Sequence, residues 1–117
     1  MISVDPQFKV RKIHKLKGGE QVKFIGFWEY CLEDVDKVVE KFKKMNAERE
    51  KGTEKYPKLV FGPYHIGGES KGFTIFETDD IDQLTNTTVH YLPEMKWKFM
   101  PIHESGKVAE LYLKSKK

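Results

Sequence analysis

A single small α+β domain is predicted, with helices on one face of a mostly antiparallel sheet. Three observations carry that prediction. The chain has 117 residues, close to the commonest single-domain length. Its 8 Phe, 5 Tyr and 2 Trp are enough aromatic volume for one core. Apolar stretches with strand character alternate with segments of helical period.

Taken in order, Phe8 to Lys17 has strand-forming residues at Phe8, Val10, Ile13 and Leu16, and Gly18-Gly19 supplies a tight turn into the next strand. That next strand, Val22 to Trp28 (VKFIGFW), is nearly continuous in apolar residues, as in a central strand covered on both faces. Gly26 inside it marks a bulge or a close approach. Glu33 to Lys51 reads as a helix whose buried stripe is Val35, Val38, Val39, Phe42 and Met45. Glu33, Asp34 and Asp36 crowd its positive end. Gly52 supplies its stop, and Pro57 bars continuation. Leu59 to Ile66 and Gly72 to Thr78 form a hairpin through Gly67-Gly68, with Pro63 at a bulge or on a free edge. Thr78-Asp79-Asp80 caps a second helix to about Tyr91, with Ile81, Leu84, Thr88, Tyr91 and Leu92 on one face. Glu94 to His103 alternates Met95, Trp97 and Phe99 against Lys96 and Lys98, the period of a strand. Ser105 then caps a last helix in which Val108, Leu111 and Tyr112 face the core.

Without its first strand and last helix this order is βαββαβ, the split-βαβ or ferredoxin-like unit. The boundaries are a basic β-hairpin extension over 1–20, a ferredoxin-like core over 21–103, and a C-terminal helix with a Lys-rich tail over 104–117. Such a unit leaves one sheet face bare. Phe24, Ile25, Phe27, Trp28, Phe61, Tyr64, Phe73, Ile75, Phe76, Trp97, Phe99 and Met100 cannot all point at two helices. The half on the bare face needs a cover, and a second copy packed sheet to sheet is the simplest one.

The arrangement resembles the dimeric α/β-barrel superfamily, in which two ferredoxin-like subunits enclose a barrel. Phe73-Thr74-Ile75-Phe76-Glu77-Thr78-Asp79-Asp80 is similar to the strand-to-helix junction of one small uncharacterised prokaryotic family within it. The resemblance spans roughly residues 22–103. It implies the fold and a homodimer. The superfamily holds haem-degrading and quinone-forming monooxygenases, isomerases, ligand-binding regulators and proteins of unknown role, so it implies no one activity.

Charge and cysteine content bound the setting. Cys31 is the sole cysteine, which excludes an internal disulfide and suits a reducing compartment. No signal peptide or membrane helix is evident, so a cytoplasmic protein is expected. The net charge of +3 is unevenly spread: residues 1–23 carry six Lys/Arg against Asp5 and Glu20, and residues 107–117 carry four Lys against Glu110. Solvated lysines that keep the ends soluble explain this better than a polyanion site, because no aromatic or glycine-rich binding motif accompanies them.

Candidate chemistry is sparse. His14, His65, His90 and His103 show no metal-ligand spacing, and neither a metal nor a cofactor is expected. Gly67-Gly68 precedes a strand, so it is no phosphate loop. His65 stands near a strand end, where it can line a barrel mouth. Glu77 shares a face with Phe73 and Ile75, and a carboxylate among apolar neighbours acquires a raised pKa and serves as a proton acceptor. A strand-end Glu that reaches solvent or caps the next helix is the plainer reading. Trp28, Tyr30, Tyr64 and Trp97 can frame an aromatic pocket, although core packing explains any one of them. Lys96 and Lys98 can meet an acidic ligand or simply snorkel to water. The expected function is a homodimeric barrel that binds a small, partly apolar ligand through Trp28, Tyr64, His65, Glu77 and Trp97. The alternative is a cofactor-free monooxygenase or isomerase with Glu77 or His65 as the base. A nucleic-acid-associated protein using the basic ends is a third reading.

Overall fold

The computed structural model describes residues 21–116. The expected first strand, Phe8 to Lys17, and its turn lie outside the described residues. Four strands and three α-helices follow in the order β1 (Val22–Tyr30), α1 (Val35–Glu50), β2 (Lys58–His65), β3 (Lys71–Thr78), α2 (Ile81–Tyr91), β4 (Met95–Ile102) and α3 (Ser105–Ser115). A 3-10 turn, Leu32–Asp34, leads into α1. The sheet order is β2-β3-β1-β4, with every neighbouring pair antiparallel.

The apolar run of β1 sits between β3 and β4, as its composition requires. Gly26 is a close approach: a Cβ there would lie 2.8 Å from the Phe99 ring, which crosses over it from β4. Gly72 is tighter still, because a Cβ would meet the Tyr64 carbonyl oxygen at 2.1 Å and the Trp28 ring at 2.5 Å. β2 is an edge strand with two register shifts, between Leu59 and Phe61 and between Phe61 and Tyr64. Pro63 therefore costs the ladder little. The β2–β3 turn closes through Ile66 N–H donating to Lys71 O at 2.9 Å, with Gly67 at φ +60°.

Helix ends follow their sequence signals. After Lys51, Gly52 adopts φ +86°. Its N–H donates to Arg49 O at 2.9 Å, and Thr53 N–H donates to Glu48 O at 3.3 Å, the paired bonds of a Schellman stop. The Asp80 carboxylate caps α2 by accepting from Asp82 N–H at 3.0 Å. Beneath it the fully buried Thr78 hydroxyl accepts from Asp80 N–H at 2.9 Å.

Both α1 and α2 pack on one face of the sheet. That face presents Phe24, Trp28, Thr74, Phe76 and Met95 to Val38 and Met45 of α1 and to Leu84 and Tyr91 of α2. Lys41 joins α1 to the α2–β4 turn, donating to Leu92 O at 2.7 Å and to the Glu94 carboxylate at 2.5 Å. His90 Nε2–H donates to Lys41 O at 2.7 Å.

Three expected helix faces need correction. In α1, Val39 and Phe42 remain exposed, because an open cavity separates them from the sheet. In α2 the buried residues are Leu84, Thr87 and Tyr91, while Ile81 and Leu92 are exposed. The buried positions fall on i, i+3 and i+7, one turn-edge away from the apolar stripe, so a threonine takes the innermost place. In α3, Val108, Leu111 and Tyr112 do not face the core: no residue of α3 is buried. Its first turn is also not capped by Ser105, which is the first helical residue. Lys107 and Val108 N–H donate to the backbone carbonyl of Glu104 instead.

Among the described residues, no helix packs on the second sheet face. The register sets two apolar rows across it, Met100–Ile25–Ile75–Phe61 and Phe27–Phe73–Tyr64, the second of which ends at Lys98. A charged row lies at each end: Lys23–Glu77–Lys58, and Lys96–Glu29–Lys71. Phe61 and Tyr64 are about half exposed, with ring centroids 4.9 Å apart.

Candidate functional site

Between the sheet and its helices lies a cavity of about 400 Å³. Its floor is sheet: Trp28 and Tyr30 from β1, Thr74 and Phe76 from β3, Trp97 from β4, and Leu59 and His65 from β2. Val38, Val39, Phe42, Met45 and Arg49 of α1 roof it, and Thr87 and Tyr91 of α2 close one side. Gly72 on β3 leaves room for the Trp28 ring to lie flat against the strand, and Thr74 beside it keeps the cavity floor low. Trp28 is pinned by its indole N–H, which donates to the buried Thr74 hydroxyl at 3.1 Å.

The topology puts polar groups at opposite ends. β1 and β2 run in the same direction, so Tyr30 and His65 meet where both strands finish. The Tyr30 hydroxyl and His65 Nε2 are 3.1 Å apart, and the imidazole stands edge-on to Trp28 at 4.9 Å. α1 runs back along the sheet and delivers Arg49 to the other end. Its guanidinium lies 5.8 Å from the Phe76 ring centre and 5.9 Å from that of Tyr56, and Nη1–H donates to Pro57 O at 2.6 Å. From Gly72, which pairs with His65, to Phe76 is four residues of strand, about 13 Å.

Burial lowers the Arg49 pKa below its ordinary value, against support from the Tyr91 and Tyr56 phenols. Burial pushes Tyr91 up to about 12. Burial likewise raises Tyr56, aided by its hydrogen bond to Glu48 at 3.1 Å. The Trp97 indole N–H is buried with no acceptor among the described residues.

Of the residues singled out by sequence, Trp28, Tyr30, His65 and Trp97 come together around this cavity. Tyr64 and Glu77 do not. Tyr64 points to the open sheet face, packed near Phe61 and Phe73. Glu77 shares that face with Phe73 and Ile75, as its parity implies, but its carboxylate sits between Lys23 at 3.5 Å and Lys58 at 3.8 Å. Both lysines are its direct cross-strand partners. Capping of α2 is done by Asp80 instead. Lys96 and Lys98 are exposed on the open face. Arg49, Tyr91, Phe42 and Thr87 were invisible as site residues, because each reads as an ordinary member of a helix. A basic residue near the C-terminal end of an otherwise apolar helix stripe was the only available signal.

Among the described residues no cluster of three or more His, Cys, Asp or Glu side chains is arranged to hold a metal ion. No described helix is long and apolar enough to cross a membrane. Neither the curated proteins nor the solved structures contain a match to this chain. The family model of a domain of unknown function, DUF3303, matches residues 22–116, from β1 to α3, and the chain belongs to that family.

Proposed function

We propose that this chain is a homodimeric α/β-barrel protein of ferredoxin-like topology that binds a small, elongated, largely apolar ligand between its sheet and its helices. The ligand reading rests on the cavity: about 400 Å³, walled by aromatic and aliphatic side chains, with a few polar groups at its ends. The topological reading is supported by the order β1-α1-β2-β3-α2-β4 with strand order β2-β3-β1-β4. The dimer is supported by the open face. Its apolar rows are bordered by Lys-Glu-Lys rows, the apolar centre and charged rim of an interface. A two-fold axis through such a face sets like rows against like, and each Glu can meet a Lys of the second copy.

A cofactor-free monooxygenase or isomerase is the second reading, favoured by one observation. His65 is an imidazole on the cavity wall, hydrogen-bonded to Tyr30 and placed to exchange a proton with a bound molecule. Glu77 lies outside the cavity, so His65 is the base in this reading.

Both tryptophans of the chain, Trp28 and Trp97, line the cavity, so all indole fluorescence reports on it. Titration with the neutral probe para-phenylbenzamide is expected to quench that fluorescence saturably. Val39→Phe, which fills the roof, is expected to weaken the quench. Absence of saturable quenching, together with native mass spectra free of any co-purified small molecule, would overturn the ligand reading. Under the enzyme reading His65→Gln abolishes turnover and leaves probe binding intact.

A further inference from the structure

We infer that the α1 end of the cavity is an anion subsite, in which the Arg49 guanidinium and the Tyr91 hydroxyl take the carboxylate of an aromatic carboxylic acid. This rests on the reading of the cavity as a ligand site and names the ligand class.

Arg49 is half-buried, and no carboxylate of the described residues lies within ion-pair distance of it. No acidic side chain lines the cavity. A guanidinium offers five N–H donors. One is spent on Pro57 O, and another points at the Met45 sulfur at 3.8 Å, a weak acceptor. The rest have no acceptor among the described residues. Phe76 and Tyr56 hold the cation through their ring faces, which positions it without supplying a formal counter-charge. Partial burial of a charge without a counter-ion carries a desolvation cost, and a bound anion relieves it.

Tyr91 stands beside it, almost fully buried, with no hydrogen-bond partner for its hydroxyl among the described residues. Its raised pKa keeps the phenol protonated, and so a donor, throughout the physiological range. Trp97, 5.8 Å from both Phe76 and Tyr91 between ring centres, continues the aromatic wall beside them. This end of the cavity therefore offers the Arg49 and Tyr91 donors beside a positive charge that no described residue ion-pairs, and its complement is an anionic acceptor. The walls leading away from it are rings, which select a flat aromatic body. A carboxylate also matches the planar fork of Arg in a way that a neutral amide does not.

Para-phenylbenzoate and para-phenylbenzamide, which differ only in the charged group, test the subsite by fluorescence titration. The benzoate is expected to bind roughly tenfold or more tightly than the benzamide, the usual worth of a charge-assisted hydrogen bond. Arg49→Gln is expected to erase that preference while leaving benzamide binding in place. Because Arg49 also ties α1 to the loop before β2, Tyr91→Phe serves as the second variant, and it is expected to reduce the preference several-fold. Equal binding of the two probes to the unmodified protein overturns the anion subsite and leaves the cavity reading standing. A benzoate preference that survives both substitutions also overturns it. Binding of neither probe, together with native mass spectra free of any co-purified small molecule, removes the cavity reading and the subsite together.

Discussion

At the scale of single residues, the side chains that tie helices to sheet are long polar groups whose charged ends find a specific partner. Lys41 is the clearest. One ammonium bonds the carbonyl that ends α2 and the Glu94 carboxylate that precedes β4. That hydrogen bond holds the Glu94 carboxyl below its ordinary value of 4.5. A carboxyl with a depressed folded-state pKa stabilises the fold above its unfolded-state value. The contribution is lost as pH falls through the lower folded-state value. Glu94→Gln is therefore expected to lower the melting temperature at neutral pH, with the gap to the wild type closing below about pH 4.5. Melts across that range check it, and a gap of the same size at both ends would discard the role assigned to Lys41. Neither partner announces itself in sequence. Lys41 reads as one more solvated lysine on α1, and only the crossing of α1 over the α2–β4 turn makes it a tie.

At the scale of elements, strands and helices start and stop where local chemistry says they do. The continuous apolar run of β1 places it at the centre of the sheet. Gly52, Asp80 and the Gly67 turn act through backbone geometry that only a few residue types satisfy. The two glycines of the sheet interior have different reasons. At Gly26 an added methyl meets only side-chain ring atoms, of Phe99 and Trp97; at Gly72 it meets backbone and the pinned Trp28 ring. Gly72→Ala is expected to cost about 3 kcal/mol and Gly26→Ala about 1 kcal/mol, the upper and lower range for overpacking. Urea denaturation of the two variants measures the difference, and equal losses would show that the β2 edge moves aside freely. Gly26 was legible as a close approach, since it interrupts an apolar run. The tighter constraint at Gly72 was not, because it arises from a carbonyl of the neighbouring strand.

At the scale of the whole molecule, two apolar surfaces are left open among the described residues. One is the open sheet face, and the other is the Val108, Leu111 and Tyr112 side of α3. Under the proposed dimer the sheet face is covered by a second copy, so a charge placed at its aromatic cluster opposes association. Phe61→Glu and Tyr64→Glu are expected to shift the chain from dimer to monomer in light-scattering chromatography. The far-UV spectrum and the fluorescence of Trp28 and Trp97 should stay unchanged, because those rings lie on the opposite face. A wild-type chain that runs as a monomer at micromolar concentration would end the dimer proposal.

The sequence by itself determined the order of the described elements, the central place of β1, the β2–β3 turn and the stop of α1, and the division of β1, β3 and β4 into two faces. All of these follow from periodicity, apolar run length and residue-specific backbone freedom, which act within a few neighbouring residues. It also singled out four of the residues that meet at the cavity: Trp28, Tyr30, His65 and Trp97. Only the tertiary structure decided that Tyr64 and Glu77 stand on the far face from these four. For Tyr64 the register shifts of β2 break the simple alternation that sequence reading relies on. For Glu77 the parity was legible, but which face bears the helices was not. Only the tertiary structure brought Arg49 and Tyr91 into one pocket, because that requires α1 and α2 to lie side by side on the sheet. And only it showed α3 standing clear of the core, since an amphipathic stripe states that a helix has a partner without stating which surface that partner is.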